Sequence, residues 1–192
     1  MKFNDHHALE GLHATLGASK YHWVNYDDDH FVEVYKAQLA AQRGTELHEL
    51  AERLIRMKIR LPRNHQTLNM HVNDAIGFKM QPEVILFYSP NAFGTADAIS
   101  FDEHKKFLRV HDLKTGVHPC KFDQLYIYAA LFCLEYGYAP GDITTEFRIY
   151  QNDETVIDDS DNTEVIAHIM DKIVHFDDMI NAMRSEEAGW MR

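Results

Sequence analysis

Cysteine is nearly absent. The 192 residues hold only Cys120 and Cys133, thirteen positions apart. That spacing makes neither a CxxC pair nor a Cys/His finger, so a zinc ribbon and a disulfide scaffold are both excluded as organising principles. A reducing compartment is the natural home for such a chain. Basic charge is also short: 19 Lys and Arg stand against 30 Asp and Glu, a formal net charge of −11. This excludes a protein that coats nucleic acid with a uniformly basic surface, though not one with a local basic patch. No apolar run approaches the ~18 residues that a membrane-crossing helix needs. The first residues, MKFNDHHALEGLH, contain no apolar signal core. The expectation is a soluble cytoplasmic protein with no membrane partner. Proline and glycine are few, at 5 and 9, and no linker or repeat divides the chain. What is there is ordinary globular composition, 45% hydrophobic and 26% charged. The length suits one domain over 1–192 that buries its core without staples. Histidine is abundant at 13, a reservoir of positive charge that neutral pH conceals.

Hydrophobic periodicity orders the chain. Residues 1–30 are mixed and read as a helical or irregular lead-in, part of an N-terminal helical segment reaching to about residue 60. From Val34 to Lys58, Leu39, Leu47, Leu50, Leu54 and Ile55 recur at mostly three- and four-residue spacings, which predicts a helix. Gly44 interrupts it and marks a close approach. Three strands follow, at Glu83–Tyr88, Gly94–Ser100 and Lys106–Lys114, with the charged stretch 102–106 as a hairpin turn between the last two. Residues 121–136 read as a helix that Gly137 and Pro140 stop. Ile143–Tyr150 is a further strand, the acidic stretch after it a connector, and Glu164–Met183 a final helix with Val165, Ile169, Ile173, Phe176 and Ile180 on one stripe. The expected class is α/β, a central mixed sheet flanked by helices.

The chemistry concentrates in a few positions. Asp112 and Lys114, at i and i+2, point to the same side of a largely apolar strand. Such a pair is either a surface salt bridge at a strand end or part of a site. Asp97, among small residues on the preceding strand, can converge on Asp112 if the two strands form a hairpin. Two adjacent carboxylates repel unless a proton or cation joins them, and oxygen donors of this kind suit Mg²⁺ or Mn²⁺. Lys114 beside that cation can orient a water or offset charge on a phosphate. His48 and Glu52 share a helix face. Without a second histidine they make no HExxH zinc site, and His48 can equally be a hydrogen-bonded boundary residue. Gln124 and Tyr128 share the face of the following helix and can reach a phosphate or Lys114, or else serve as surface and core. Arg53, Arg56, Lys58, Arg60 and Arg63 follow one another with no acid between them. They form either a phosphate-backbone contact or a solvated helix end.

Four blocks stand in order: Gly44-Thr-x-x-His48-x-x-x-Glu52, Gly94-Thr-Ala-Asp97, Asp112-Leu-Lys114-Thr-Gly116 and Gln124-x-x-x-Tyr128. Together they resemble the PD-(D/E)xK nucleases, specifically the RecB-like exonuclease branch that includes the Cas4-type and small phage-encoded members. The resemblance implies a restriction-endonuclease-like core over about residues 44–150. It implies a divalent-metal-dependent DNA nuclease, an exonuclease of recombination, repair or phage DNA processing. On that resemblance His48, Asp97 and Asp112 are side-chain metal ligands and the Leu113 carbonyl is a backbone ligand. Lys114 is the catalytic lysine, with Gln124 and Tyr128 supporting it. Glu52 stands behind the ligands, and Glu83, on the strand before the core pair, either touches the site or simply starts its strand after Pro82. The metal is Mg²⁺, with Mn²⁺ as a substitute. The four-cysteine cluster of the Cas4-type relatives has no counterpart in two cysteines, so no iron–sulfur cluster is expected. DNA is the expected partner, with a single-strand-annealing, helicase or other recombination protein, or further copies of the chain, supplying what one domain lacks. A catalytically silent nucleic-acid-binding or viral assembly protein on the same fold is the competing expectation.

Overall fold

A computed structural model describes residues 14–16, 18–116 and 120–190. Two compact units divide it at Arg43/Gly44, inside a helix. In the first unit a short 3-10 helix, Ala18–Asn25, precedes the N-terminal part, up to Arg43, of helix α1, Asp28–Met57. The Asp27 carboxylate accepts the His30 N–H at 2.8 Å, and Asp28 and Asp29 sit in the first turn, where the helix dipole favours negative charge. These caps start α1 six residues before its apolar stripe becomes visible.

The second unit, Gly44–Arg192, holds the rest of α1 and then runs α2 (Thr67–Gly77), β1 (Gln81–Ser89), β2 (Ala92–Asp102), β3 (Phe107–Leu113), α3 (Asp123–Tyr136), β4 (Thr144–Gln151), β5 (Glu154–Asp158) and α4 (Thr163–Trp190). The strands form one sheet in the order β1-β2-β3-β4-β5. Every pairing is antiparallel except β3 with β4, which α3 joins as a crossover. The sheet is therefore mixed and flanked by helices, as the alternation of elements implies. One core lies between the sheet and α3 with α4, around Leu86, Leu108, Val110, Leu125, Phe147 and Ile166. The other lies on the opposite face, where Ala51 and Ile55 of α1 and Val72 and Ala75 of α2 meet Ala98, Leu113 and Tyr150. No described helix is long and apolar enough to cross a membrane.

Two elements escape the sequence reading. Helix α2 is only 11 residues and buries Asn69 and His71 on its inner side, so its apolar stripe is broken by polar residues. Strand β5 lies within the stretch whose acidic composition suggests only a connector. It pairs with β4 through a two-residue turn in which Asn152 and Asp153 both have positive φ, 52° and 59°. That is the backbone a tight hairpin requires, and Asn and Asp tolerate it. The expected turn between β2 and β3 is present: Asp102 pairs with Phe107 and its carboxylate accepts the N–H groups of His104 and Lys105. The histidine reservoir is smaller than its count implies. His71 and His111 are 1% and 0% exposed. Burial lowers His71 to about 4 and holds His111 well below its ordinary range, so both stay neutral near pH 7.

Candidate functional site

The site forms where β2 and β3 stop pairing. Their ladder ends at Ala98 opposite His111, while β3 continues beside β4 to Leu113. The Leu113 N–H finds no strand partner on the β2 side and donates instead to Asp97 Oδ2 at 2.7 Å. A side-chain oxygen thus completes a ladder position, which fixes the carboxylate in the gap. Across the β1–β2 register, Pro82 faces Ala98 and Val84 faces Ala96, so Glu83 stands opposite Asp97. Glu83 has a φ of +49°, a left-handed conformation that is uncommon for a non-glycine residue and interrupts the regular alternation of β1. From above, α1 lowers His48, whose Nδ1 is 3.3 Å from Asp97 Oδ1. Gly44, one turn earlier, lets the helix descend: an added Cβ would stand 2.8 Å from Thr115 Oγ1.

His48, Glu83 and Asp97 each offer a ligand atom, and these atoms lie within 4.8 Å of one another. All three are half-buried. Asp97 is held below its usual range. Burial opposes ionisation, but the His48 hydrogen bond, the His48 charge and the Leu113 N–H outweigh it. The hydrogen bond to Asp97 raises His48 against a smaller penalty of burial, with Glu83 and Asp112 adding to the rise. Glu83 is raised by burial first and by the Asp97 charge second.

Asp112 stands beside this trio rather than in it. It is 1% exposed, and burial, then the Asp97 charge, lift it to about 6 despite Lys114. Lys114 Nζ is 3.0 Å from Asp112 Oδ2, an ion pair that offsets only part of the cost of burial. The ammonium also donates at 2.6 Å to Gln124 Oε1, and Gln124 Nε2 donates at 2.7 Å to Tyr128 Oη. The i, i+4 spacing on α3 produces this relay, which holds the lysine from the α3 side. Gly94 makes room for it, since a Cβ there would stand 3.0 Å from Tyr128 Cε1. Gly94→Ala is therefore expected to push the Tyr128 ring aside, at a cost of about 1–3 kcal/mol, measurable as a lower denaturation midpoint.

Placed residue by residue, the sequence candidates divide. His48, Asp97, Asp112, Lys114, Gln124 and Tyr128 come together. Leu113 contributes its N–H to Asp97. Glu83, read from the sequence only as a supporting position, is one of the three clustered donors. Glu52 is tied to Arg56 at 2.8 Å and lies outside the cluster. The basic run does not act as one unit. Arg53 pairs with Glu49, and Arg56 also reaches the Pro82 carbonyl at 3.3 Å. Lys58 ends α1 with a φ of 55°. Arg60 donates to the Asn73 carbonyl at 3.3 Å, and with Arg63 it lines a separate surface cavity of about 470 Å³.

Two carboxylates with raised affinity for protons, Glu83 and Asp112, and a third held ionised, Asp97, amount to excess negative charge withdrawn from water. A divalent cation relieves that situation, and one imidazole nitrogen with carboxylate oxygens is a fitting donor set for it. The His48/Glu83/Asp97 cluster is thus consistent with a metal-dependent hydrolytic centre. Comparisons with protein-family models, with curated proteins and with solved structures found no match.

Proposed function

We propose that the chain is a divalent-metal-dependent nuclease of the PD-(D/E)xK type, RecB-like in its motifs, that hydrolyses DNA phosphodiesters from an end. The observation that carries this reading is the meeting of the His48/Glu83/Asp97 cluster with the Asp112–Lys114–Gln124–Tyr128 relay at the end of β3. A metal-binding protein with no hydrolytic role has no use for an ammonium held beside the metal ligands. A restriction-endonuclease-like core accommodates the observed mixed sheet, with β1, β2 and β3 supplying the acidic residues and α3 the Gln124 and Tyr128 part of the relay.

In this reading His48, Glu83 and Asp97 hold Mg²⁺ or Mn²⁺, with Asp112 completing the acidic wall. The ion supplies polarisation of a phosphate oxygen and acidification of a water. Asp97 keeps its orientation through the Leu113 N–H and needs no rearrangement to serve as a ligand. Gln124 fixes Lys114 Nζ at the mouth of the site. There the ammonium hydrogen-bonds a water or a non-bridging phosphate oxygen and offsets charge as it develops. Tyr128 holds Gln124 in that orientation.

End-labelled linear DNA and closed circular DNA, incubated with Mg²⁺, Mn²⁺ or EDTA, test the proposal. Linear DNA is expected to be degraded with either metal and not with EDTA, closed circles to survive, and Lys114→Ala to lose a hundredfold or more in rate. Equal degradation by wild type and Lys114→Ala would sink it.

A further inference from the structure

We propose that the open face of the β1–β2 ribbon is a stacking platform for unpaired bases, so that the strand delivered to the metal cluster is a single strand. The inference rests on the nuclease reading and names its substrate class. Val84, Leu86 and Tyr88 pack into the core beneath α3, and Gly94 faces Tyr128 on that same side. By alternation Ile85, Phe87, Phe93 and Thr95 project from the other face. That is also the face to which α1 brings His48, because Ala51 and Ile55 of the same helix pack there against Ala98 and Leu113. Ile85, Phe87 and Phe93 are 61%, 46% and 61% exposed. Phe87 and Phe93 are direct cross-strand partners, and Ile85 faces Thr95 in the next step of the register toward Glu83 and Asp97. The two rings therefore begin about 13 Å from the metal donors at the ~3.3 Å rise of a strand, a few nucleotides away at ~3.4 Å per stacked base.

Three observations select nucleic-acid bases over other occupants. The platform continues in register from the candidate metal donors, and Ile85, Thr95, Phe87 and Phe93 carry no charge, which suits the π-face of a base rather than a phosphate. The chain's net charge of −11 supplies little long-range attraction for a polyanion, which favours an uncharged contribution to the grip. Base–aromatic stacking is such a contribution, worth about tenfold in affinity per base. Finally, the edge of β1 is guarded against strand addition, because the Phe87 N–H donates to Glu135 Oε2 at 2.8 Å. A second copy or a peptide pairing along that edge would have to displace the carboxylate.

The test uses the full chain and a short fluorescent oligonucleotide, with binding read by anisotropy in Ca²⁺ and in EDTA. A blunt hairpin duplex serves as competitor, and Mn²⁺-dependent hydrolysis of bis(4-nitrophenyl) phosphate is followed in parallel. Phe87→Ala/Phe93→Ala and Phe87→Leu/Phe93→Leu are each expected to lose at least tenfold in single-strand affinity. Phe87→Tyr/Phe93→Tyr should bind like wild type, and all variants should hydrolyse the small diester at the wild-type rate. Because leucine keeps the apolar bulk without the ring, wild-type binding by the leucine pair overturns the inference. So does equal wild-type affinity for duplex and single strand, the absence of oligonucleotide binding, or a wild-type dimer that the variants dissolve. Loss of small-diester hydrolysis in every form, wild type included, with the binding pattern intact, would instead count against the nuclease reading alone.

Discussion

Asp112→Asn is expected to stabilise the metal-free protein at pH 7.5 while abolishing metal-dependent cleavage. The Asp112 carboxyl titrates at about 6 in the fold against an ordinary 3.8, so the folded chain holds this proton more tightly than the unfolded chain does. The sign follows from linkage: the stability tied to this group is fully present below pH ~3.8 and is lost as pH rises through about 6. At ~1.4 kcal/mol per tenfold change in proton affinity, the loss amounts to roughly 3 kcal/mol once the group is ionised. Asparagine keeps the shape and removes the ionisation. The attraction of Lys114 is already contained in the value of about 6, but the buried asparagine amide costs about 1–2 kcal/mol where its N–H groups find no acceptor, which leaves a net gain of about 1–2 kcal/mol. For a chain of this length that raises the melting temperature by about 2–8 °C. The gain of the variant over wild type should disappear by pH 4, where the wild-type group is already neutral. Activity should move the opposite way, by a hundredfold or more, because a bound cation and the lysine beside it both lose a charged partner. Differential scanning fluorimetry across pH 4–8, with EDTA present, checks the stability half. A variant less stable than wild type at pH 7.5 would show that Asp112 is not the strained carboxylate its burial makes it.

The contrast explains which parts of the molecule the sequence discloses. Strands β1 to β4 and helix α3 are legible because burial on defined faces imposes period two or 3.6 on their apolar residues. The Asp112/Lys114 and Gln124/Tyr128 pairs are legible for the same reason: each lies within one element, where spacing alone decides that two side chains meet. Glu83 is not. Its place beside Asp97 depends on the β1–β2 register and on a φ of +49°, neither of which is written in local periodicity. The positive run 53–63 misleads in the opposite sense. No acid lies within it, yet Glu49 and Glu52 lie one helical turn before Arg53 and Arg56 and pair with them. A scan along the chain sees a basic patch where the helix surface carries i, i+4 ion pairs. Strand β5 is hidden because Thr155-Val-Ile is too short to stand out from the acids around it, and only the Asn152-Asp153 turn chemistry reveals a hairpin.

Metal binding should weaken steeply on acidification, and Glu83→Gln should weaken it at every pH. Ligation requires His48 neutral and Glu83 ionised. Asp112 beside them must also be ionised for the acidic wall to draw the ion. In the metal-free protein His48 sits above its ordinary value of 6.5, Glu83 sits above 4.5 and Asp112 lies at about 6. His48 and Asp112 therefore take up protons as pH falls through 6, Glu83 adds to the trend on further acidification, and each proton opposes the cation. Affinity for Mn²⁺ is expected to rise with pH through 6 and to level off once His48 is neutral. The measurement is the stabilisation that Mn²⁺ confers, about 2.7 kcal/mol at a hundred times Kd for a ligand that binds only the folded state. At a fixed Mn²⁺ concentration chosen to give a clear rise in melting temperature at pH 7.5, the rise should largely vanish at pH 5.5. Glu83→Gln should lower affinity by about tenfold to a hundredfold, while Glu52→Gln, one helical turn from His48 and tied to Arg56, should leave it within about twofold. Equal effects of the two substitutions would separate the metal from the β1–β2 register and return it to the α1 face alone. A loss confined to Glu83→Gln ties it to the gap that Asp97 and the unpaired end of β3 create.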